Sequence, residues 1–157
     1  MTKIDKNQKQ LKFSWQEFRE YCEIVAIDII HHQKSYSQII AIARGGFYLG
    51  DYLSRRLKLP LSVIVTQSYT QDNQQGKLSL GNLSYIIPPV QKVLLVDDLL
   101  DTGVTMIKTK EMLENTWGVE VDTAVIWQKF HSQFQADYCH SITPSDYWIQ
   151  QPFEVGD

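Results

Sequence analysis

The stretch from Val93 to Met106, VLLVDDLLDTGVTM, carries the reading of the whole chain. Val93 to Val96 is an unbroken apolar run, the pattern of a strand covered on both faces. It leads without a spacer into Asp97 and Asp98, then Asp101, Thr102, Gly103, Val104 and Thr105. A helix is predicted behind these to about Trp117-Gly118, with Ile107, Met112 and Leu113 on its apolar side. A strand that ends in carboxylates, a glycine turn and a helix start is half of a βαβ unit with its polar end free to bind something.

Upstream, Gln38 to Ala43 is a second apolar run, interrupted by Arg44-Gly45-Gly46. Phe47, Leu49, Leu53 and Leu57 then mark a helix that Pro60 helps to end, and Ser62 to Val65 reads as a strand. Ile86-Ile87 reads as a strand fragment before Pro88-Pro89. Nearer the start, Ser14-Trp15-Gln16-Glu17 has the pattern of a capping box. Trp15, Phe18, Cys22, Val25 and Ile29 follow on one helical face, to an end near His32. Downstream, Val121 to Trp127 is a strand, and Tyr138–Ile142 and Trp148-Ile149 are shorter extended pieces. This alternation predicts an α/β fold with a doubly wound, mostly parallel sheet, whose ligands sit at the carboxyl ends of the strands. Two strand ends are loaded with polar groups, one after Ala43 and one after Val96.

The length of 157 residues suits one domain, expected over 14–157, with a polar N-terminal tail over 1–13. The stretch SYTQDNQQGKLSLGNL, about 68–83, has no period and is expected to be a mobile, functional loop. A net charge of -3 without a Lys/Arg block argues against nucleic acid as a partner. No run approaches the length of a membrane span, and the polar start MTKIDKNQKQ lacks the apolar region of a secretion signal. Cys22 and Cys139 read as reduced thiols, so the expected compartment is the cytoplasm. The four histidines, His31, His32, His131 and His140, read as solvated or locally bonded residues.

The chemistry concentrates at Asp97–Thr105. Backbone N–H groups and two hydroxyls at a helix N-terminus form an anion cradle suited to a phosphate monoester. Three carboxylates beside it would repel that ligand unless they meet hydroxyls, a metal ion or a cationic centre. A sugar phosphate with a free diol and Mg²⁺ satisfies all three.

This segment resembles the signature with which type I phosphoribosyltransferases bind phosphoribosyl pyrophosphate (PRPP), and the likeness extends over about Ser14 to Glu154. Ile39–Gly46, IIAIARGG, is similar to the family's pyrophosphate loop. Gln67-Ser68-Tyr69 with Asp72-Asn73-Gln74 looks like the start of its lid. Trp148–Glu154, WIQQPFE, resembles the purine-stacking segment of the bacterial xanthine-guanine branch. The resemblance implies the type I fold, with a small base-binding hood mainly over 128–157. It implies an enzyme of purine salvage, moving ribosyl phosphate from PRPP to a 6-oxopurine (guanine, xanthine or hypoxanthine). The products would be a nucleoside monophosphate and pyrophosphate. Mg²⁺ would be the cofactor, and a homodimer or homotetramer the assembly.

Residue roles follow from the same resemblance. Asp101, Thr102, Gly103, Val104 and Thr105 would bind the 5′-phosphate, and Asp101 would also be the catalytic general base or acid at N7. Asp97 and Asp98 would hold the ribose diol and reach Mg²⁺, which both can do only if the strand ends before them. Arg44, Gly45 and Gly46 would bind pyrophosphate, with a cis Ala43–Arg44 peptide. Ser68 and Tyr69 would close over PRPP, with Lys77 near phosphate. Lys129 would donate to O6 of the base, Trp148 would stack on it, and Ile149 and Glu154 would read its other edge. The chain departs from the family at Val104, at Gln150 and at Phe153-Glu154, and the last two changes sit beside the base pocket. Two other readings remain: a transferase for another base, which Lys129 and Trp148 argue against, and a PRPP-sensing regulator, which the charge balance argues against.

Overall fold

The computed structural model describes residues 9–67, 79–80 and 87–154. Its elements are β1 (Lys9–Lys12), α1 (Trp15–His31), β2 (Ile39–Ala43), α2 (Gly46–Leu57) and β3 (Leu61–Gln67). They continue with β4 (Ser79–Leu80), β5 (Lys92–Val96), β6 (Leu99–Leu100), α3 (Val104–Trp117), β7 (Glu120–Lys129), β8 (Tyr138–Thr143) and β9 (Tyr147–Gln150). Strands β3, β2, β5, β7 and β8 pair in parallel, and among the described strands β4 alone runs antiparallel, against β3. Strand β6 pairs with β7 at Trp127 and Gln128, beyond the residues that β5 pairs. This is the expected α/β sheet with helices on both faces.

The strand period of two explains the layers. Ile39, Ala41, Leu94, Val96, Ala124 and Ile126 point to one face and pack with Phe18, Cys22, Val25 and Ile29 of α1 and Leu49 and Leu53 of α2. Ile40, Ile42, Val93, Leu95, Val121 and Val125 point to the other, against Met106 and Leu113 of α3. The capping box forms as read: Ser14 accepts from the Glu17 amide, and Glu17 accepts from the Ser14 amide. No helix among the described residues is long and apolar enough to cross a membrane.

Four local readings are corrected. Of the tail expected over 1–13, Lys9–Lys12 forms β1, parallel to β9 with Leu11 opposite Ile149. A solvent-side strand with a single apolar residue carries no hydrophobic period. Ile87 is not in a strand: its N–H donates to the Ser62 Oγ and its carbonyl accepts from the Gln38 Nε2, both at 2.9 Å. Those buried side chains replace the ladder. The core face of α3 carries Met106, Thr109 and Leu113, with Ile107 at its margin. Within the hood expected over 128–157, β8 extends the main sheet, and β9 pairs with β1 in a separate two-stranded sheet.

Candidate active site

Because β2, β5, β6 and β7 are parallel, their carboxyl ends lie along one edge of the sheet, and the polar residues after each meet there. Strand β5 does end at Val96. Asp97 leaves with its N–H on the Ala124 carbonyl, and the Asp98 carbonyl accepts from Ile126 and Trp127. That release from the pleat lets both carboxylates serve the same edge. Asp97 Oδ1 accepts from the Asp98 N–H at 2.9 Å, and Asp98 Oδ1 from the Leu99 N–H at 2.7 Å. Burial lifts the Asp97 carboxyl well above the usual carboxylate range, and the charge of Asp98 beside it adds to the rise.

The glycines that follow β2 press against this pair. A Cβ on Gly45 would overlap the Asp98 carboxylate, and one on Gly46 would come 2.6 Å from the Val96 carbonyl oxygen. The Ala43–Arg44 peptide is cis, as the resemblance implies. Asp97 and Asp98 are two oxygen donors with no third His, Cys, Asp or Glu completing a metal-holding group among the described residues. Such a pair fits a divalent ion that takes its remaining oxygens from phosphate and water, as magnesium does.

The segment Asp101–Thr105, expected to bind the 5′-phosphate, follows. Gly103 has φ 84°, and a Cβ there would lie 2.8 Å from both Phe134 Cβ and Ser132 Oγ. A side chain is excluded twice, by conformation and by space. The β7–β8 loop docks here through the Gln133 N–H on the Thr102 carbonyl at 2.9 Å. Thr102 Oγ1 accepts from the Val104 N–H at 3.4 Å, and Val104 and Thr105 stand exposed at the start of α3. The first N–H groups of that helix have no acceptor inside it and face an incoming anion. Asp101 has a side chain 66% exposed, 3.0 Å from His131 Nε2.

Lys129, the last residue of β7, is only 5% exposed, and its Nζ donates to the Tyr147 carbonyl of β9. Burial pulls its pKa down, against the opposing charges of Asp101 and Asp146. That contact brings the amine next to Trp148, which is 40% exposed, while Ile149 is buried. Glu154 Oε2 accepts from the Gln151 N–H at 3.3 Å. Arg44, Gly45, Gly46, Asp97, Asp98, Asp101–Thr105, Lys129, Trp148 and Glu154 thus share one end of the molecule. Ser68, Tyr69 and Lys77 lie outside the described residues. Two residues that the sequence reading set aside also stand here: His131 against Asp101, and Gln151, whose Nε2 donates to Asp98 Oδ2. For His131 the one available signal was its place two residues after Lys129. Gln151 had only its place inside WIQQPFE.

Comparison with known proteins identifies the family. The phosphoribosyl transferase domain model matches residues 14–157. The chain is 26% identical over 154 residues to the xanthine-guanine phosphoribosyltransferase of Chromohalobacter salexigens, covering 98% of this chain and 89% of that protein. Among solved structures it resembles a purine phosphoribosyltransferase from Pyrococcus horikoshii, with TM-score 0.81 and 25% identity over 94% of this chain and 96% of that one. A Helicobacter pylori xanthine-guanine-hypoxanthine phosphoribosyltransferase shares the fold at TM-score 0.81 and 22% identity, over 93% and 94% of the two chains. The match reaches from the cap of α1 past the last residue of the site, and the chain belongs to the phosphoribosyl transferase domain family.

Proposed function

We propose that this chain transfers the 5-phosphoribosyl group of PRPP to a ring nitrogen of a 6-oxopurine, releasing pyrophosphate and a nucleoside monophosphate. The observation that carries the reading is the buried Lys129 amine, held against the Tyr147 carbonyl beside Trp148 and under the charge of Asp101. An ammonium there donates to an exocyclic carbonyl oxygen such as O6. An amino group at the same ring position offers no comparable acceptor, so adenine is disfavoured. Trp148, 40% exposed, is the stacking surface.

The reaction builds cationic character at the anomeric carbon as pyrophosphate departs. Catalysis is then positioning and charge stabilisation. The N–H groups around Gly103–Thr105 fix the 5′-phosphate, and the backbone at Arg44–Gly46 receives the pyrophosphate. Asp97 and Asp98 orient the ribose hydroxyls and are the residues that would hold Mg²⁺. When bound, Mg²⁺ supplies charge neutralisation for the leaving pyrophosphate. Asp101 takes the proton that the purine imidazole ring releases on forming the new C–N bond. The same reading places the enzyme in the cytoplasm, in purine salvage, as a homodimer or homotetramer.

A spectrophotometric assay with PRPP and Mg²⁺ tests the reading against guanine, xanthine, hypoxanthine, adenine and orotate. Turnover of at least one 6-oxopurine and none of adenine or orotate is expected. PRPP binding without turnover of any base would overturn it.

A further inference from the structure

Gln151 follows the last residue of β9 and is only 4% exposed. Its Nε2 donates to Asp98 Oδ2, while Asp98 Oδ1 is already taken by the Leu99 N–H. Its own backbone is held too: its N–H donates to Glu154 Oε2, and its carbonyl accepts from the Glu154 N–H at 3.1 Å. The remaining polar atom, Gln151 Oε1, is buried with no hydrogen-bond partner among the described residues. Buried amides ordinarily satisfy both ends, because water has been removed and nothing else repays the loss. An oxygen left open beside a ribose-binding carboxylate fits a donor that arrives with a ligand, such as a sugar hydroxyl.

The placement matters more than the single bond. Gln151 is joined through one peptide to the strand that presents Trp148 and Ile149, and through one hydrogen bond to the carboxylate that lies against Gly45. It therefore spans the base side and the ribose-phosphate side of the site. Any displacement of β9 would carry with it the amide bonded to Asp98. We propose that Gln151 is a positioning residue that couples the two subsites: occupancy of the base pocket orders Asp98 for the ribose, and occupancy of the ribose pocket sets β9 for the base. This rests on the functional reading above. By linkage the coupling acts equally in both directions.

The test is calorimetric, on the full chain in Mg²⁺ buffer. PRPP is titrated with and without the 9-deaza analogue of whichever 6-oxopurine is turned over fastest. The carbon at the attacking position of that analogue blocks transfer. The analogue is expected to tighten PRPP binding to the natural chain by about fivefold or more. In Gln151→Met, which keeps length and apolar bulk but loses the amide, that ratio is expected to fall below about twofold. Thermal melting checks that the variant is folded. Gln151→Glu is the second variant. It keeps the shape but sets a carboxylate against Asp98, and is expected to abolish the coupling and to weaken PRPP binding. A natural ratio retained in either folded variant would overturn the proposal, as would a ratio of one in a natural chain that binds PRPP and turns over a purine. A natural chain that does not bind PRPP at all would overturn the functional reading and this inference with it.

Discussion

The two ends of the same sheet treat carboxylates in opposite ways. At the amino end, Asp122 of β7 accepts from Tyr36 Oη at 2.6 Å and Lys34 Nζ at 2.9 Å, and its other oxygen lies 3.1 Å from Lys92 Nζ. Tyr138 Oη closes the cluster 3.0 Å from Tyr36. Burial alone would raise the Asp122 carboxyl, but the tyrosine and both lysines outweigh it and hold it below the ordinary range. At the carboxyl end, Asp97 accepts from the Asp98 backbone N–H, and burial together with the like charge of Asp98 pushes its carboxyl up. One carboxylate has its full set of partners within the fold. The other has no cationic partner among the described residues, as the proposed binding role requires. The difference teaches where this molecule spends acidic residues on stability and where on binding.

The comparison can be sharpened by substitution, and the largest effect is expected at the carboxyl end. Asp101→Asn should lower kcat by about 10²- to 10⁴-fold, the usual worth of a general base, with melting temperature and PRPP affinity close to natural. A variant that turned over normally would remove Asp101 from the chemistry and leave it as a phosphate-loop residue.

Asp122→Ala is the matching break at the other end. It strips the partner from Tyr36, Lys34 and Lys92 and should cost about 3 kcal/mol of folding stability, with kcat and KM little changed in the protein that remains folded. The sign with pH follows from the lowered carboxyl. Its contribution is complete above the ordinary value of 3.8 and is lost as pH falls through its lower folded value, so natural and variant melting curves converge in acid.

Asp97→Asn should act in the reverse direction. A carboxyl whose folded pKa is raised stabilises the fold at low pH and loses that contribution as pH rises through the folded value. Near neutral pH the neutral amide is therefore expected to gain about 1 kcal/mol of stability while PRPP binding weakens by tenfold or more, on the order of one charge-assisted contact. A melting temperature lowered by this change would break the contrast between the two ends.

The smallest effect belongs to His131→Ala. The pair with Asp101 is exposed on both sides, and such pairs contribute less than about 1 kcal/mol, so a change in kcat of no more than about fivefold is expected. Steady-state rates measure it directly.

Much of this was legible before the fold. The Val93–Val96 run, the capping box at Ser14 and the glycine at position 103 are local statements, governed by side-chain period, a three-residue hydrogen bond and a positive φ, and each reads from a few adjacent residues. The proposed phosphate loop is local for the same reason: one strand end and one helix start hold Asp97 to Thr105 within nine consecutive positions. The base side is not local. Lys129, Trp148 and Glu154 come from separate elements, and only their order along the family's pattern pointed to them.

What the sequence by itself determined is therefore the main elements and the mostly parallel sheet, with Asp97–Thr105 at one strand end, because each follows from contacts between near neighbours in the chain. Tertiary structure alone decided the rest. It made a strand of Lys9–Lys12 because β9 offered an open edge, and it satisfied Ile87 with Gln38 and Ser62 in place of a ladder. It set His131 on Asp101 and Gln151 on Asp98, 30 and 53 positions apart in sequence. Pairings over such separations depend on how parallel strands bring their ends together, a geometry that no window of adjacent residues contains.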